Sequence, residues 1–371
     1  MQNEVRSERQ HALDQVRALA MLAGVVFHAS LAHSTLMQPF WPGALGTTSP
    51  IVDALAWLSH LIRMPLFFLV SGYFTAQVLE RRGMGGLLRQ RMRRLLLPFL
   101  IAWPILTLTL VVGLQWAAAN VDSPNAVLGF LKNAADNETT AAPLTLGHLW
   151  FLPYLLLLSV LVWACRTLNL GWILEAVMSR KPTTVILCMP LLLVVPFAAT
   201  SAPHPAPESL FPQLWAVGLY GPFFALGFAL LGRLSWLESL PVGWLSASVL
   251  SLYCIFFWLL MISPSEDLWP RAALHMAALQ AAVAAWGTVL LLVVGLKVLG
   301  RPNRVLSYIA RSAYTVYLVH LPLVLALQIA LLGSNVPGPF AFAIVACGAL
   351  VGSLLVYELL VRRTFLRQWI G

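Results

Sequence analysis

Charge is what this 371-residue sequence has least of. Only 10% of it is Asp, Glu, Lys or Arg, against about 25% in an ordinary soluble domain. That deficit excludes a soluble enzyme with one odd helix, and it excludes a disordered chain. Cysteine is sparse as well. Cys165, Cys188, Cys254 and Cys347 are far apart and lie in or beside apolar runs. They offer no metal-ligand spacing and no disulfide framework, and read as small apolar packing residues. Long polar stretches are also missing: the longest, 117–146, is too short for a separate soluble domain. The N-terminus has Glu4, Glu8 and Asp14 among its arginines and lacks a small-residue cleavage site. It is expected to be a retained first span, not a removed signal peptide.

What remains is apolar. Hydrophobic residues make up 60% of the chain, and the mean hydropathy is +0.82. The 24 Gly and 24 Pro are scattered through apolar runs, as membrane helices tolerate. A bilayer span needs about 20 mainly apolar residues. Apolar runs between polar breaks give ten, at 12–34, 51–79, 95–116, 147–166, 183–200, 212–232, 242–262, 272–296, 305–332 and 340–361. The second is long enough to tilt or kink, with Pro65 and Ser71-Gly72 as kink points. The expected fold is all-α, a polytopic membrane helix bundle forming a single domain over 1–371.

The net charge of +9 would point to nucleic acid in a soluble protein. Placed on ten spans with both termini cytoplasmic, 20 of the 23 cations fall on the cytoplasmic side. Only Lys132 and Arg271 fall outside, and Arg63 lies within a span. The charge is therefore a topology signal by the positive-inside rule. A lipid bilayer is the expected partner, and nucleic acid is not.

Ionisable groups within a span cost roughly 2.5–3.5 kcal/mol or more at its centre, so each one needs a reason. In span one, Arg17 and His28 are eleven residues apart. That is about three turns, so they share a helix face, with a rise of roughly 16 Å between them. An anionic ligand held at Arg17 with its reactive end near His28 would use such a face. A boundary arginine and a histidine bonded to a neighbouring helix would look the same. In span two, Asp53, His60 and Arg63 follow i, i+7, i+10 and make one stripe. A mid-membrane cation such as Arg63 is a functional candidate, while an ion pair with Asp53 or another carboxylate is the plainer reading. Arg91 and Arg94, at i and i+3, would present two forks to one phosphate, or simply anchor the cytoplasmic face. His148, with Trp150 and Tyr154, sits at an outer mouth, where aromatics form interfacial belts or stack on sugars. His320 lies in span nine, and Glu358 is expected to pair with an arginine near the end of span ten.

Together these residues resemble a known family. Arg17-x10-His28, R-M-P-L-F-F-L-V-S-G-Y at 63–73, Arg91-x-x-Arg94, H-L-W-F-L-P at 148–153 and S-A-Y-T-V-Y-L-V-H at 312–320 resemble the acyltransferase-3 family of integral membrane acyltransferases. L-D-Q-V-R-A at 13–18, F-H-A-S-L at 27–31, H-L-I-R-M at 60–64 and V-Y-E-L at 356–359 are similar to the branch associated with succinyl transfer to osmoregulated periplasmic glucans. The resemblance covers nearly the whole chain, in order.

The resemblance implies transfer of an acyl group from cytoplasmic acyl-CoA to a hydroxyl on the far side of a bacterial inner membrane. No permanently bound cofactor is expected; acyl-CoA, either succinyl-CoA or acetyl-CoA, would be the donor. His28 would be the base or a transient acyl carrier. Arg63 and His60 would stabilise the thioester oxyanion, and Arg63 could instead hold a second carboxylate on the donor. Arg17, Arg91 and Arg94 would bind the donor's phosphates. His148, Trp150, His320 and Asp53 would line the site of a glucan or other glycan acceptor. Many family members have an acidic residue where this chain has Gly147-His148-Leu149-Trp150. A soluble hydrolase-like domain is not appended, so a one-step product is expected. The rival readings are a transporter or flippase of an anionic or acylated solute, or a scaffold for glucan-synthesis partners.

Overall fold

A computed structural model describes residues 2–136, 144–262 and 273–370. Arg271, one of the two cations expected outside, lies outside the described residues. No strand occurs among the described residues. In hydrocarbon every backbone N–H and C=O must be satisfied within its own segment, which leaves helices for apolar runs of this length. They are α1 (Gln2–Ser30), α2 (Pro50–Arg91), α3 (Leu97–Asn120), α4 (Ala126–Asp136), α5 (Phe151–Thr167), α6 (Gly171–Met178), α7 (Pro182–Ala198), α8 (Leu214–Ala229), α9 (Val242–Ile262), α10 (Leu274–Val298), α11 (Arg304–Ala330), α12 (Gly338–Val356) and α13 (Arg367–Ile370).

Among the described residues, seven stretches are long and apolar enough to cross a membrane. One of them, Pro50–Asn120, holds both α2 and α3, where two separate spans were expected. Two more expected spans are the short apolar helices α7 and α8, of 17 and 16 residues. At 1.5 Å per residue each rises about 25 Å, less than a hydrocarbon core of about 30 Å. All ten apolar runs are thus helical, but seven stretches meet the length of a crossing. The expected kink points in α2 also move. Pro65 lies inside the helix, and the non-helical residue is Gly83, at φ 64° and ψ −176°. Only glycine adopts that conformation without steric cost.

The described residues form two compact units. The first comprises 1–20, 60–96 and 150–307; the second comprises 21–59, 97–149 and 308–371. In the first, α10 packs against α7 and α9, and α7 against α8. The buried face of α10 is mostly small: Ala277, Ala281, Ala282, Ala284, Ala285 and Gly287. Small residues let helices approach closely where no hydrophobic force draws them together. The tightest approach is between α2 and α8. A Cβ on Gly72 would collide with the carbonyl oxygen of Phe224, and one on Gly227 with that of Leu69. Ser71-Gly72 is therefore a contact point, not a hinge.

In the second unit, α3 packs on α4, and Ala117, Ala118 and Leu128 form a small core with Ile329 and Leu332. A second cluster joins Phe27, Leu31 and Ala56 to Met37 and Trp41. The outer face of α3 carries Leu100, Ile105, Leu108, Val112 and Trp116, all exposed, an apolar surface suited to lipid. Glu358 accepts from Arg362 Nη1 at 2.5 Å and from the Tyr308 hydroxyl at 3.0 Å, the arginine pairing expected for it.

The Gly227 contact is against backbone and cannot relax by a rotamer change. Gly227→Ala is expected to cost about 1–3 kcal/mol, the usual range for overpacking, read as a lower thermal unfolding midpoint. Gly113→Ala, where a Cβ meets nothing within 4 Å, should leave the midpoint unchanged or raise it slightly. Equal midpoints for the two variants would contradict the close approach.

Candidate active site

The second unit gathers three of the expected site residues from distant parts of the sequence. His28 is in the last turn of α1, His148 in a short 3-10 turn at Gly147–Trp150, and His320 within α11. The ring centroids of His28 and His320 are 5.2 Å apart, and those of His148 and His320 are 5.6 Å apart. His320 is thus the middle member of a row. It and His148 are buried, while His28 is partly exposed.

Hydrogen bonds fix the chemistry of two of these rings. His148 Nε2 lies 2.9 Å from the carbonyl oxygen of Leu318. A carbonyl only accepts, so Nε2 carries the proton and the neutral ring keeps its lone pair on Nδ1. His320 Nδ1 lies 2.9 Å from the carbonyl oxygens of both Val316 and Tyr317. Its proton is therefore on Nδ1, and Nε2 is the basic atom. The Tyr317 hydroxyl donates to the His148 carbonyl at 2.7 Å, tying the turn to α11.

His28 is positioned by a residue that is not ionisable. The Gln328 amide Nε2 lies 3.2 Å from the carbonyl oxygens of both His28 and Ala29. Its Oε1 accepts from Trp41 Nε1 at 2.8 Å, and Trp41 stacks on His28 with centroids 6.0 Å apart and planes at 20°. Gln328 therefore takes up carbonyls that the end of α1 leaves without helical partners, and it holds the indole beside the imidazole. A scan for ionisable groups passes over it. The signal is one amide in the apolar run L-A-L-Q-I-A-L-L.

Asp53 belongs to the same unit but to a different task. It is fully buried. It accepts from the Ser34 hydroxyl and, at 2.8 Å, from the Thr35 N–H, so its carboxylate fastens the chain that follows α1. His33 does related work, with Nδ1 2.8 Å from the Thr47 hydroxyl.

The remaining expected site residues lie in the first unit. His60 Nε2 donates to the carbonyl oxygen of His204 at 2.8 Å, and the two rings are 4.4 Å apart. That bond commits the Nε2 proton of His60 to the loop that holds His204. Arg63 follows His60 by three residues on α2, so the two share a helix face. Trp150 is buried against Tyr220, with centroids 5.2 Å apart, and near Tyr154 and Phe68. It packs as a core residue, not as an open platform for a sugar.

Two of the arginines expected to hold phosphates meet neighbouring residues of α2, Phe74 and Thr75. Arg17 pairs with Asp14 at 3.0 Å, both part-exposed, and its guanidinium lies 5.5 Å from the Phe74 ring centroid. An exposed pair of this kind contributes little stability. Arg91 donates through Nη2 to the Thr75 hydroxyl. The chain then enters a π-helical turn, Met92–Leu96, and Arg94 is exposed. The wider turn departs from the i, i+3 geometry of an α-helix. His204, Gln280 and Tyr220 complete the polar group around His60, and the sequence reading missed all three. His204 sits in a proline-rich loop, and Gln280 is again a lone amide in an apolar run.

No solved structure matches. The chain is similar to Glucans biosynthesis protein C of Escherichia coli (strain K12), with 31% identity over 169 residues, 45% of this chain and 42% of that protein. It is similar to the protein of the same name from Salmonella heidelberg (strain SL476), with 27% identity over 241 residues, 61% of this chain and 59% of that one. The matched stretches therefore span roughly half the length of these relatives. The acyltransferase-3 profile, described as an acyltransferase domain, matches residues 10–358, which include every candidate site residue above. The chain belongs to the acyltransferase-3 family, and its described residues hold several helices long and apolar enough to cross a membrane.

Proposed function

We propose that this protein transfers an acyl group from cytoplasmic acyl-CoA, with succinyl-CoA favoured, to hydroxyls of a periplasmic glucan, across the inner membrane of a bacterium. The observation that carries the reading is the row of His28, His320 and His148, with one partly exposed ring backed by two buried ones. The similarity to proteins named Glucans biosynthesis protein C supports the acceptor class. Placed on ten spans, 20 of the 23 cations fall on one face, which supports both termini in the cytoplasm.

In this reading His28 is the general base. The acceptor hydroxyl oxygen attacks the thioester carbonyl carbon as His28 takes the hydroxyl proton. The tetrahedral intermediate then collapses, the carbon–sulfur bond breaks, and the thiolate leaves with a proton returned from the imidazolium. His320 presents a basic Nε2 beside His28, so the imidazolium has a neighbour able to share its proton. That arrangement favours a base over a transient acyl carrier. Arg17 binds the donor's phosphates, with Arg91 and Arg94 contributing charge at the same cytoplasmic face. His60 and Asp53 position chain segments.

Three results test this. His28→Ala is expected to insert normally and lose transfer by at least about a hundredfold, the lower range for general-base catalysis. Mass spectrometry of periplasmic glycans from cells with and without the variant reads the outcome, and near-normal acylation would refute the assignment. Arg17→Ala should raise the KM for acyl-CoA with little change in kcat; an unchanged KM removes Arg17 from the donor site. Gln328→Leu leaves the Trp41 donor and two carbonyls buried without partners, a cost of about 1–3 kcal/mol. It should lower both the unfolding midpoint and kcat, and an unaltered kcat would show that Gln328 does not position His28.

A further inference from the structure

The basic end of α2 is not evenly disposed. Of the six arginines at 81–94, five are exposed and Arg91 alone is partly buried. Arg91 meets Thr75, sixteen residues earlier in the same helix. Along an unbroken α-helix those two would stand about 24 Å apart, beyond the reach of any side chain. Gly83 lies midway between them and is the break that permits the contact. Its positive φ, which suits glycine, lets the segment 84–91 fold back toward 71–82. All of these residues belong to the first unit.

The contact fixes which group gives a proton and which takes it. Thr75 is fully buried. Its hydroxyl donates to the carbonyl oxygen of Ser71 at 2.7 Å. Oγ1 then has only lone pairs left, and it accepts from Arg91 Nη2. One corner of the guanidinium is held this way, and the rest of it is unspent. Arg91 Nε is buried with no hydrogen-bond partner among the described residues. Among those residues no carboxylate pairs with Arg91. A cation taken out of water with one neutral partner is costly, and an anion relieves that cost. The neighbouring residue of α2 seats a second cation. The Arg17 guanidinium lies 5.5 Å from the Phe74 ring centroid, and its Nε is likewise buried without a partner among the described residues. Asp14 takes Arg17 Nη2 at 3.0 Å. Phe74 and Thr75 thus hold two guanidinium groups at one turn of α2, each with N–H groups unspent. With Asp14 offsetting Arg17 in part, they carry more positive charge than a single carboxylate would balance, which suits a phosphate.

We propose that Thr75 is a positioning residue for a phosphate subsite: through its bond to Arg91 it holds that guanidinium at the turn of α2 where Arg17 also sits. That the phosphate belongs to acyl-CoA rests on the acyl-transfer reading above. Arg91 contacts the phosphate directly, while Arg94, exposed within the π-helical turn, adds only charge at a distance. The subsite uses residues of the first unit alone, and its binding step is measurable without any transfer.

The test compares wild type, Thr75→Val and Thr75→Ser as full-length protein in nanodiscs. Valine keeps the shape and removes the hydroxyl; serine restores it. Each is titrated with coenzyme A, with pantetheine, which carries no phosphate, and with inorganic pyrophosphate. In Thr75→Val the Kd for coenzyme A is expected to weaken by about tenfold or more, the scale of a lost bond to a charged group. Pantetheine binding stays as in wild type, and Thr75→Ser recovers coenzyme A binding to within about threefold. With acyl-CoA the loss appears in KM and not in kcat. A packing role alone moves coenzyme A and pantetheine alike, or lowers kcat with KM unchanged, and either result overturns the proposal. If Thr75→Val does not insert, Thr75→Ala takes its place. In an Arg91→Gln background the Thr75 substitution should add less than about twofold; a full additive loss shows that Thr75 does not act through Arg91. Pyrophosphate separates the subsite from the donor assignment. Pyrophosphate binding that Thr75→Val weakens, in a protein that binds coenzyme A no better than pantetheine, supports the subsite and removes the acyl-CoA reading. Coenzyme A binding that exceeds pantetheine binding equally in wild type and Thr75→Val keeps the acyl-CoA reading and overturns the role of Thr75. Absence of phosphate-dependent binding with either probe overturns both.

Discussion

A polar side chain inside a membrane helix must find its partner within the protein, because lipid offers none. This constraint organises both units. In one, Gln328 satisfies the end of α1 and the Trp41 indole with a single amide. In the other, Gln280 and His60 take both main-chain groups of His204 and draw an irregular loop inward. Buried irregular backbone is tolerated where protein groups take up its N–H and C=O. The same bonds that satisfy the backbone also fix the tautomers and orientations of the side chains that can do chemistry. Structure and candidate function therefore depend on the same few contacts.

The fold class was legible from composition and hydropathy. Every apolar run became a helix, because length and apolarity leave no alternative in hydrocarbon. The lengths were less legible. Helix α7 stops at Ala198, just before Thr200 and Ser201, whose hydroxyls bond locally to the carbonyls of Phe197 and Pro203, which no periodicity encodes. The kink in α2 was placed at Pro65 or Ser71-Gly72, yet it falls at Gly83. Proline within a helix is tolerated, and Gly72 is needed for close packing.

The site was legible in part. His28, His148 and His320 stood out as costly ionisable groups, and the structure brings their rings together. Asp53 and His60 stood out for the same reason, but each is occupied in fastening a chain segment. Spacing finds polar residues on one helix face; it does not reveal which backbone group will claim them. Gln328, Gln280 and His204 were missed because amides carry no charge and loops carry no helical period. Lone amides in apolar runs are as informative as lone charges, since both must be satisfied internally.

In the proposed reading the row of histidines serves chemistry, where the rival reading would have it serve carriage. A transporter uses buried ionisable groups to move a solute intact, whereas an acyltransferase needs a base beside an acceptor hydroxyl. The direct measurement uses protein reconstituted in liposomes, with acyl-CoA outside, glycan acceptor inside, and the cytoplasmic face oriented outward. The account predicts acylated glycan in the lumen, free CoA outside and no intact acyl-CoA inside. Intact acyl-CoA or glycan crossing the bilayer without formation of an ester would contradict it.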